Sequence, residues 1–259
     1  MNMNEKVKLV KQRSRSHILV LFFIINIQFL PLLIVGQSSV VPNSIITLID
    51  STQKIYGSND LLVNGSVYYQ PNRQARGTPF LFSANFDKGT VFTRGFSFDV
   101  EGLNYNAADQ LLILLYNKAD GNRLHIRMSN VLIDSFLLNS YLFVNTQRLS
   151  FESNYTYLME VNKGDYRLLI GYKKDFINRF SESNPYGSYS SIKHDLFVET
   201  DNGLHKITSK KTFLNISPSI RKNISSYLRQ NKVKVSKATP EQLKLLMDYY
   251  NQINNQVDE

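Results

Sequence analysis

Short apolar runs separated by polar turns fill most of the chain between residues 44 and 207. Five of these runs contain the β-branched and aromatic residues that are typical of strands. They are "SIITLID" (44–50), "SVYYQ" (66–70), "PFLFSA" (79–84), "GTVFTR" (89–94) and "FSFDVE" (96–101). Phe96, Phe98 and Val100 alternate with polar residues, as in an antiparallel sheet with one face in water. The pattern therefore predicts antiparallel β structure.

Turn residues between further apolar runs predict four hairpins. Their turns lie at Ala107–Asp109, at Asp120-Gly121-Asn122, at 162–165 and at Asp201-Asn202-Gly203. No helical period interrupts the strands, as a βαβ fold would require. The predicted fold class is mainly β: an antiparallel sheet, sandwich or barrel-like domain. The Ser-, Asn- and Tyr-rich stretch 176–194 is predicted to be a surface loop.

The hydrophobic period becomes helical after residue 207. A first helix is predicted over 217–232, because Ile220, Ile224 and Leu228 fall on one face. Ser217 is its expected N-cap and Pro218 its expected first helical residue.

An extended link at 232–235 leads to a second predicted helix over 239–256. Thr239, Pro240 and Gln242 give this helix the sequence of a capping box. Two amphipathic helices would leave apolar stripes in water unless they packed on the sheet or on each other. We therefore expect a β domain over 38–208 and a C-terminal two-helix segment over 209–259 packed on it.

The N-terminal region has the order of a secretory signal peptide. Basic residues precede the apolar run Ile18–Val35, and the small residue Gly36 follows it. Residues 1–37 are therefore predicted to be a signal peptide. The alternative is a retained single-pass inner-membrane anchor, since the run approaches the length of a membrane span. Both interpretations export the rest of the chain, to the periplasm, the outer membrane or the medium.

Charge and cysteine content narrow the function classes. The chain carries a net charge of +9, of which residues 1–36 contribute +4 and the remainder +5. This mild excess predicts no nucleic-acid partner. The densest basic region, 209–237, is interpreted as a solvated helix face, with peripheral contact with an anionic membrane or polysaccharide as the alternative. There is no second long apolar run, so no multi-span membrane domain is predicted.

Candidate catalytic chemistry is sparse. The chain has no cysteine, which excludes disulfides, thiol nucleophiles and cysteine-ligated metals. It contains no HExxH or GxSxG motif. His125, His194 and His205 are interpreted as ordinary strand or surface histidines, although the last two flank one hairpin. Asp99 and Glu101 have the spacing of the solvated face of a strand. No catalytic, metal-binding or cofactor-binding residue is therefore assigned, and no cofactor is predicted.

Tyrosines are the candidate binding residues, because a tyrosine combines a large apolar area with a polar tip. Tyr68 and Tyr69 lie in one run, and Tyr186 and Tyr189 lie in the loop at 176–194. The leading hypothesis is a non-enzymatic envelope protein that binds a protein or a glycan. The alternative is an extracellular hydrolase that acts on an envelope or environmental polymer.

The stretch 86–126 resembles a segment of uncharacterised exported proteins of Bacteroidota-type bacteria. The positions that carry the resemblance are Gly89, Val91, Gly95, Leu103, Tyr105, Asn106, Asp109 and Leu111. The strand "LLIGYKK" (168–174) and the closing helix–link–helix (219–253) are similar as well. The resemblance implies an exported protein in which a β domain precedes helices. It brings no catalytic residues.

Overall fold

A computed structural model describes residue 62 and residues 65–118, 120–149, 153–182, 184–201 and 203–257. The protein is mainly β, as the sequence predicted. It has a large antiparallel sheet, a small second sheet and C-terminal helices. Residues 1–61, which include the predicted signal peptide and the run 44–50, lie outside the described residues.

Thirteen strands occur in the described part of the chain. They are β1 (Ser66–Val67), β2 (Asp87–Thr93), β3 (Phe96–Asn106), β4 (Leu111–Asn117), β5 (Arg123–Arg127), β6 (Ser135–Leu138), β7 (Tyr141–Asn145), β8 (Tyr157–Glu160), β9 (Arg167–Lys173), β10 (Phe176–Ile177), β11 (Ser188–Tyr189), β12 (Lys193–Thr200) and β13 (Gly203–Ile207). All four predicted hairpins are present, as β3–β4, β4–β5, β8–β9 and β12–β13.

Eleven of these strands form one sheet in the order β1-β5-β4-β3-β2-β6-β7-β8-β9-β12-β13. Neighbouring strands in this sheet are antiparallel throughout. On one side of β2 the sheet continues through β3, β4, β5 and β1, and on the other side it continues through β6 to β9, β12 and β13. In the described chain the order is open, with β1 and β13 at its ends. Strands β10 and β11 form the second, two-stranded sheet.

Aromatic side chains fill the centre of the core. The rings of Phe136 and Phe143 are cross-strand partners and stack with centroids 4.7 Å apart. Tyr157 meets Phe136 edge-on at 5.0 Å, and Tyr105 lies 5.7 to 5.8 Å from the other three. All four are buried, and such ring pairs stabilise a core beyond their buried area. Since Tyr105 belongs to β3 and Tyr157 to β8, the core joins strands that are far apart in the strand order.

A β-bulge in β3 brings Tyr105 into this core. The pairing with β2 shifts between Asp87 and Gly89, so β3 carries one extra residue. A shift by one residue exchanges the two faces of a strand. Phe96, Phe98 and Val100 face inward before the bulge, as predicted, whereas Leu103 and Tyr105 face inward after it.

Three helices follow the sheet: α1 (Lys210–Leu214), α2 (Arg221–Gln230) and α3 (Pro240–Val257). They bury Phe213, Ile224, Leu228, Leu246 and Tyr250, among others, in the same core cluster as the sheet. No helix in the described ranges is long and apolar enough to cross a membrane.

The predicted ends of the helices were right for α3 and wrong for α2. Thr239 and Gln242 form the expected reciprocal capping box. Helix α2 begins at Arg221, and Ser217 does not cap it. The Ser217 hydroxyl is buried and instead contacts Ser219 and Asn254. The link at 232–235 was expected to be extended, and a 3₁₀ turn at Val235–Lys237 begins at its last residue.

Helix α1 was not predicted at all. Ser209 and Thr212 cap it reciprocally.

Two predicted strands instead form a covering segment on the outer face of the sheet. Only Ser66–Val67 of "SVYYQ" is a strand, and "PFLFSA" contains a single bridge, from Phe80 to Asn106. Tyr68 and Phe80 pack there on Ile113 of β4. The opposite error concerns β6 and β7, which the sequence analysis did not identify.

Candidate partner-binding surface

Six exposed apolar side chains lie on two segments, 65–80 and 176–192, which we call the two-loop surface. They are Val67 (42% exposed), Tyr69 (81%), Ile177 (44%), Phe180 (63%), Tyr186 (52%) and Ile192 (39%). The stretch 176–194 was predicted to be a loop. It contains the β10–β11 hairpin, in which Phe176 pairs with Tyr189.

Backbone hydrogen bonds join the two segments. The Arg76 N–H donates to the Gly187 carbonyl at 3.0 Å, and the Tyr189 N–H donates to the Arg76 carbonyl at 2.9 Å. The Tyr189 hydroxyl donates to the Pro71 carbonyl at 3.2 Å. Tyr69 and Tyr186 each lie within two residues of one of these contacts. The fold therefore brings together the candidate regions around Tyr69 and Tyr186, which are more than 100 residues apart in the sequence.

The four predicted tyrosines have different environments. Tyr69 and Tyr186 are exposed and available to a partner. Tyr68 is buried, and its hydroxyl accepts a hydrogen bond from Asn106 at 2.9 Å. Burial raises the pKa of Tyr68 to about 12. Tyr189 is half-buried against Phe176, with ring centroids 5.3 Å apart. Tyr68 and Tyr189 thus support the surface, and Tyr69 and Tyr186 are displayed on it.

Arginine is the main charged residue of the two-loop surface. Arg73, Arg76 and Arg179 are exposed, and Glu182 is the one acidic residue in the two segments. Ile177 and Phe180 were not named as candidates from the sequence. An available signal was the presence of large apolar residues in a stretch otherwise rich in Ser and Asn.

A buried polar cluster at the β3–β4 turn positions the segment 65–80. The Asn106 side-chain amide donates to the Tyr68 hydroxyl and to Asp109, and its carbonyl accepts from two backbone N–H groups of the turn. Asn106 is fully buried, so each of these bonds replaces a lost contact with water. The Lys174 ammonium donates to the carbonyls of Thr78 and Phe80. Burial lowers the pKa of Lys174, which has a structural role here.

Gln110 connects the same turn to distant strands. Its side-chain N–H groups donate to the carbonyls of Ala107 and Tyr172, each at 2.9 Å. Its carbonyl accepts from the Tyr105 hydroxyl at 2.8 Å and from the Thr156 N–H at 3.2 Å. Positions in the resemblance to exported proteins, Tyr105 and Asn106 among them, therefore have structural roles.

The histidines lie on three different strands. His125 stacks on Phe86 with centroids 4.7 Å apart, and burial and Arg73 lower its pKa. The strand register places His205 opposite Val198, so His194 and His205 are four positions apart, about 13 Å along the strand. Within the described residues no group of three or more His, Asp or Glu side chains could hold a metal ion.

The two acids that were considered with the histidines have other partners. Asp99 accepts a hydrogen bond from Thr90 at 2.7 Å, and Glu101 pairs with Lys88 at 2.8 Å.

An open depression of about 560 Å³ lies beside the β8–β9 and β12–β13 turns. Arg167 lines this depression and pairs with Glu160 at 3.1 Å and with Glu199 at 2.5 Å. The three residues come from adjacent strands. Because the guanidinium already holds two carboxylates, it is committed to joining strands rather than to binding an anion.

Comparisons of the chain with protein-family models, with curated proteins and with solved structures find no match.

Proposed function

We propose that this chain is an exported protein that binds another protein through the two-loop surface. The observation that carries the proposal is the display of Tyr69, Phe180 and Tyr186 on two segments joined by backbone hydrogen bonds. Rigid aromatic side chains with adjacent arginines have the composition of binding hot spots. Export rests on the signal-like segment 1–37 and on the resemblance to exported proteins.

A protein fits this surface better than a glycan does. Val67, Ile177 and Ile192 add aliphatic area that a polar sugar surface would leave poorly matched. Since the two segments carry three arginines and one acid, the complementary partner is apolar at its centre and acidic at its rim.

The binding test uses the full chain as bait for envelope proteins of the producing cell, followed by purification of the captured protein and titration. A variant with Tyr69, Phe180 and Tyr186 changed to Ser should raise the dissociation constant by more than about 30-fold, which is the effect expected from losing one hot-spot residue. The matched control changes Val131, Leu137 and Leu245 to Ser, since these residues are exposed outside the surface. Equal affinity of both variants would refute the proposal. If the chain bound soluble glycans rather than a protein, and this binding required the rings of Tyr69, Phe180 and Tyr186, the proposal that the partner is a protein would be refuted.

Export has a separate test. The full chain is produced in a Gram-negative host, and the intact mass is measured in periplasmic and membrane fractions. A soluble species that begins near Gln37 is expected. A full-length species in the inner membrane would instead show that residues 1–37 are a retained membrane anchor.

A further inference from the structure

The segment from Gly203 to Pro240 carries nine Lys and Arg residues and no Asp or Glu. The nine are Lys206, Lys210, Lys211, Arg221, Lys222, Arg229, Lys232, Lys234 and Lys237, and all of them are exposed. Within the part of the chain that the structure describes, Lys206 is the one member with an ion pair, to Asp195 at 2.7 Å. We call the other eight the basic surface.

Several cations outside this segment are paired with acids. Lys88, Arg148, Arg167, Lys173 and Lys193 each have a carboxylate within 4.0 Å. A helix face that only needed solubility could carry charges of both signs, with the small stabilisation that such pairs bring. The basic surface has no acid with which to form those pairs.

The positions of three of these cations also work against the helices that bear them. Lys210 is the first residue of α1, and Arg221 and Lys222 are the first two residues of α2. Neither helix has an acid in its first turn. Cations at a helix N-terminus oppose the helix dipole, whereas α3 follows the usual rule with Glu241 in its first turn. An external anionic surface would offset both this effect and the mutual repulsion of the eight charges.

We propose that the basic surface binds the headgroups of an anionic lipid bilayer, as a second contact independent of the two-loop surface. Six of the eight residues are lysines, which act as point charges rather than as bidentate phosphate ligands. The charges are spread over two helices and the link between α2 and α3. Among the described residues from 203 to 240 no large apolar side chain is exposed, so the region lacks an exposed apolar aromatic platform of the kind on which nucleic-acid bases stack. The attraction is electrostatic and needs no inserted anchor.

The test is a sedimentation assay of the full chain with vesicles of 30% phosphatidylglycerol and 70% phosphatidylcholine at low salt. The basic variant changes Lys210, Lys211, Lys222 and Arg229 to Gln. Each cation near an anionic membrane strengthens binding about fivefold, so the partition coefficient of this variant should fall by at least about a hundredfold. Binding of the unaltered chain should weaken steeply in 0.5 M salt, because the charges are then screened.

A matched control changes four exposed cations outside both surfaces to Gln: Lys118, Arg123, Arg127 and Lys163. It has the same net charge as the basic variant, and all versions retain residues 1–37, so any contribution of that segment is common to them. Unchanged thermal unfolding of both variants verifies folding. The control should bind nearly as the unaltered chain does. Equal losses in both variants, or the same difference between the variants on vesicles of phosphatidylcholine alone, would overturn the proposal. Preference for a soluble acidic polysaccharide or DNA over the vesicles would also overturn it.

Discussion

Replacing Gln110 tests whether one side chain holds distant parts of the sheet together. Gln110 lies in the β3–β4 turn, and its amide forms four hydrogen bonds. Two of them reach the end of β9 at Tyr172 and the residue before β8, Thr156. Gln110→Ala removes all four bonds and leaves the Tyr105 hydroxyl without its partner.

The magnitude follows from burial. Tyr105 is fully buried, so its orphaned hydroxyl costs about 1–3 kcal/mol. The Gln110 side chain is itself half-buried, so water can partly replace its other three hydrogen bonds in the variant. The loss of each of these bonds should cost about 0.5 kcal/mol or more. We therefore expect Gln110→Ala to lower the free energy of unfolding by about 3 kcal/mol.

The backbone conformation gives an internal control. Gln110 has φ of +59°, a left-handed conformation that costs a non-glycine residue about 1 kcal/mol. Gln110→Gly removes the same hydrogen bonds but relieves this strain. It should therefore be more stable than Gln110→Ala by up to about 1 kcal/mol. The larger backbone entropy that glycine loses on folding reduces this difference.

The assay is urea unfolding of the full chain, followed by circular dichroism. The double variant of Gln110→Ala with Tyr105→Phe should be more stable than the sum of the single changes by about 1 kcal/mol, because it contains no orphaned hydroxyl. Gln252→Ala, at an exposed site on α3, should change the free energy of unfolding by less than about 0.5 kcal/mol. A loss below about 1 kcal/mol for Gln110→Ala, or strict additivity in the cycle, would refute this account of the turn.

Three further predictions concern other buried or paired groups. Tyr250→Phe should leave the thermal midpoint unchanged or raise it, because the buried Tyr250 hydroxyl has no hydrogen bond of good geometry among the described residues. Tyr157→Phe, in contrast, should lower the free energy of unfolding by about 1 kcal/mol, because it removes a hydrogen bond of 3.1 Å; equal losses in the two variants would contradict this. Gly171→Ala should destabilise by about 1–3 kcal/mol, since the new Cβ would lie 2.7 Å from the Tyr155 ring, and Tyr155→Ala should abolish most of that effect in a double-mutant cycle measured in urea. Burial alone would raise the pKa of Asp195, but hydrogen bonds from a lysine and from Tyr155 lower it below 3.8. The stabilisation is therefore present above about pH 4 and is lost as pH falls, so the stability difference between the unaltered chain and Asp195→Asn should shrink in acid-titrated unfolding curves.

The sequence predicted best those strands in which an apolar run is followed or preceded by a clear turn sequence. Asp120-Gly121-Asn122 lies between two apolar runs, and β4 and β5 pair across it. In contrast, "PFLFSA" has the composition of a strand but forms part of the covering segment. Asn104 of β3 donates hydrogen bonds to the carbonyls of Ser83 and Asn85, which hold this segment on the outer face of the sheet. Such tertiary contacts cannot be recognised from the local hydrophobic pattern. Helix α2 was misplaced for the same reason, since burial of Ser217 against Asn254 overrides its tendency to cap.

The candidate site was predictable in composition and not in geometry. Tyr68 and Tyr69 are equivalent in the sequence, yet one is 8% exposed and the other 81%. Tyr68 is buried against Phe80 and Ile113, and its hydroxyl accepts a hydrogen bond from Asn106, which lies 38 positions away. The pairing of Arg76 with the loop at 187–189 is likewise a tertiary contact. Periodicity cannot report such contacts, because they depend on which turn of the folded chain faces which loop.

The network that orders the sheet also orders the two-loop surface. Asn106 holds Tyr68 directly beside the displayed Tyr69, and Lys174 at the end of β9 holds the carbonyls of Thr78 and Phe80. The segment that carries Tyr69 is thus fixed to the core from two directions, and the segment that carries Tyr186 is hydrogen-bonded to it. Ordering a loop is one of the main costs of binding, and here much of that cost is already met on folding. A partner bound at the proposed surface would meet segments that are ordered in advance, and loosening Asn106 would be expected to weaken that binding although Asn106 itself is buried.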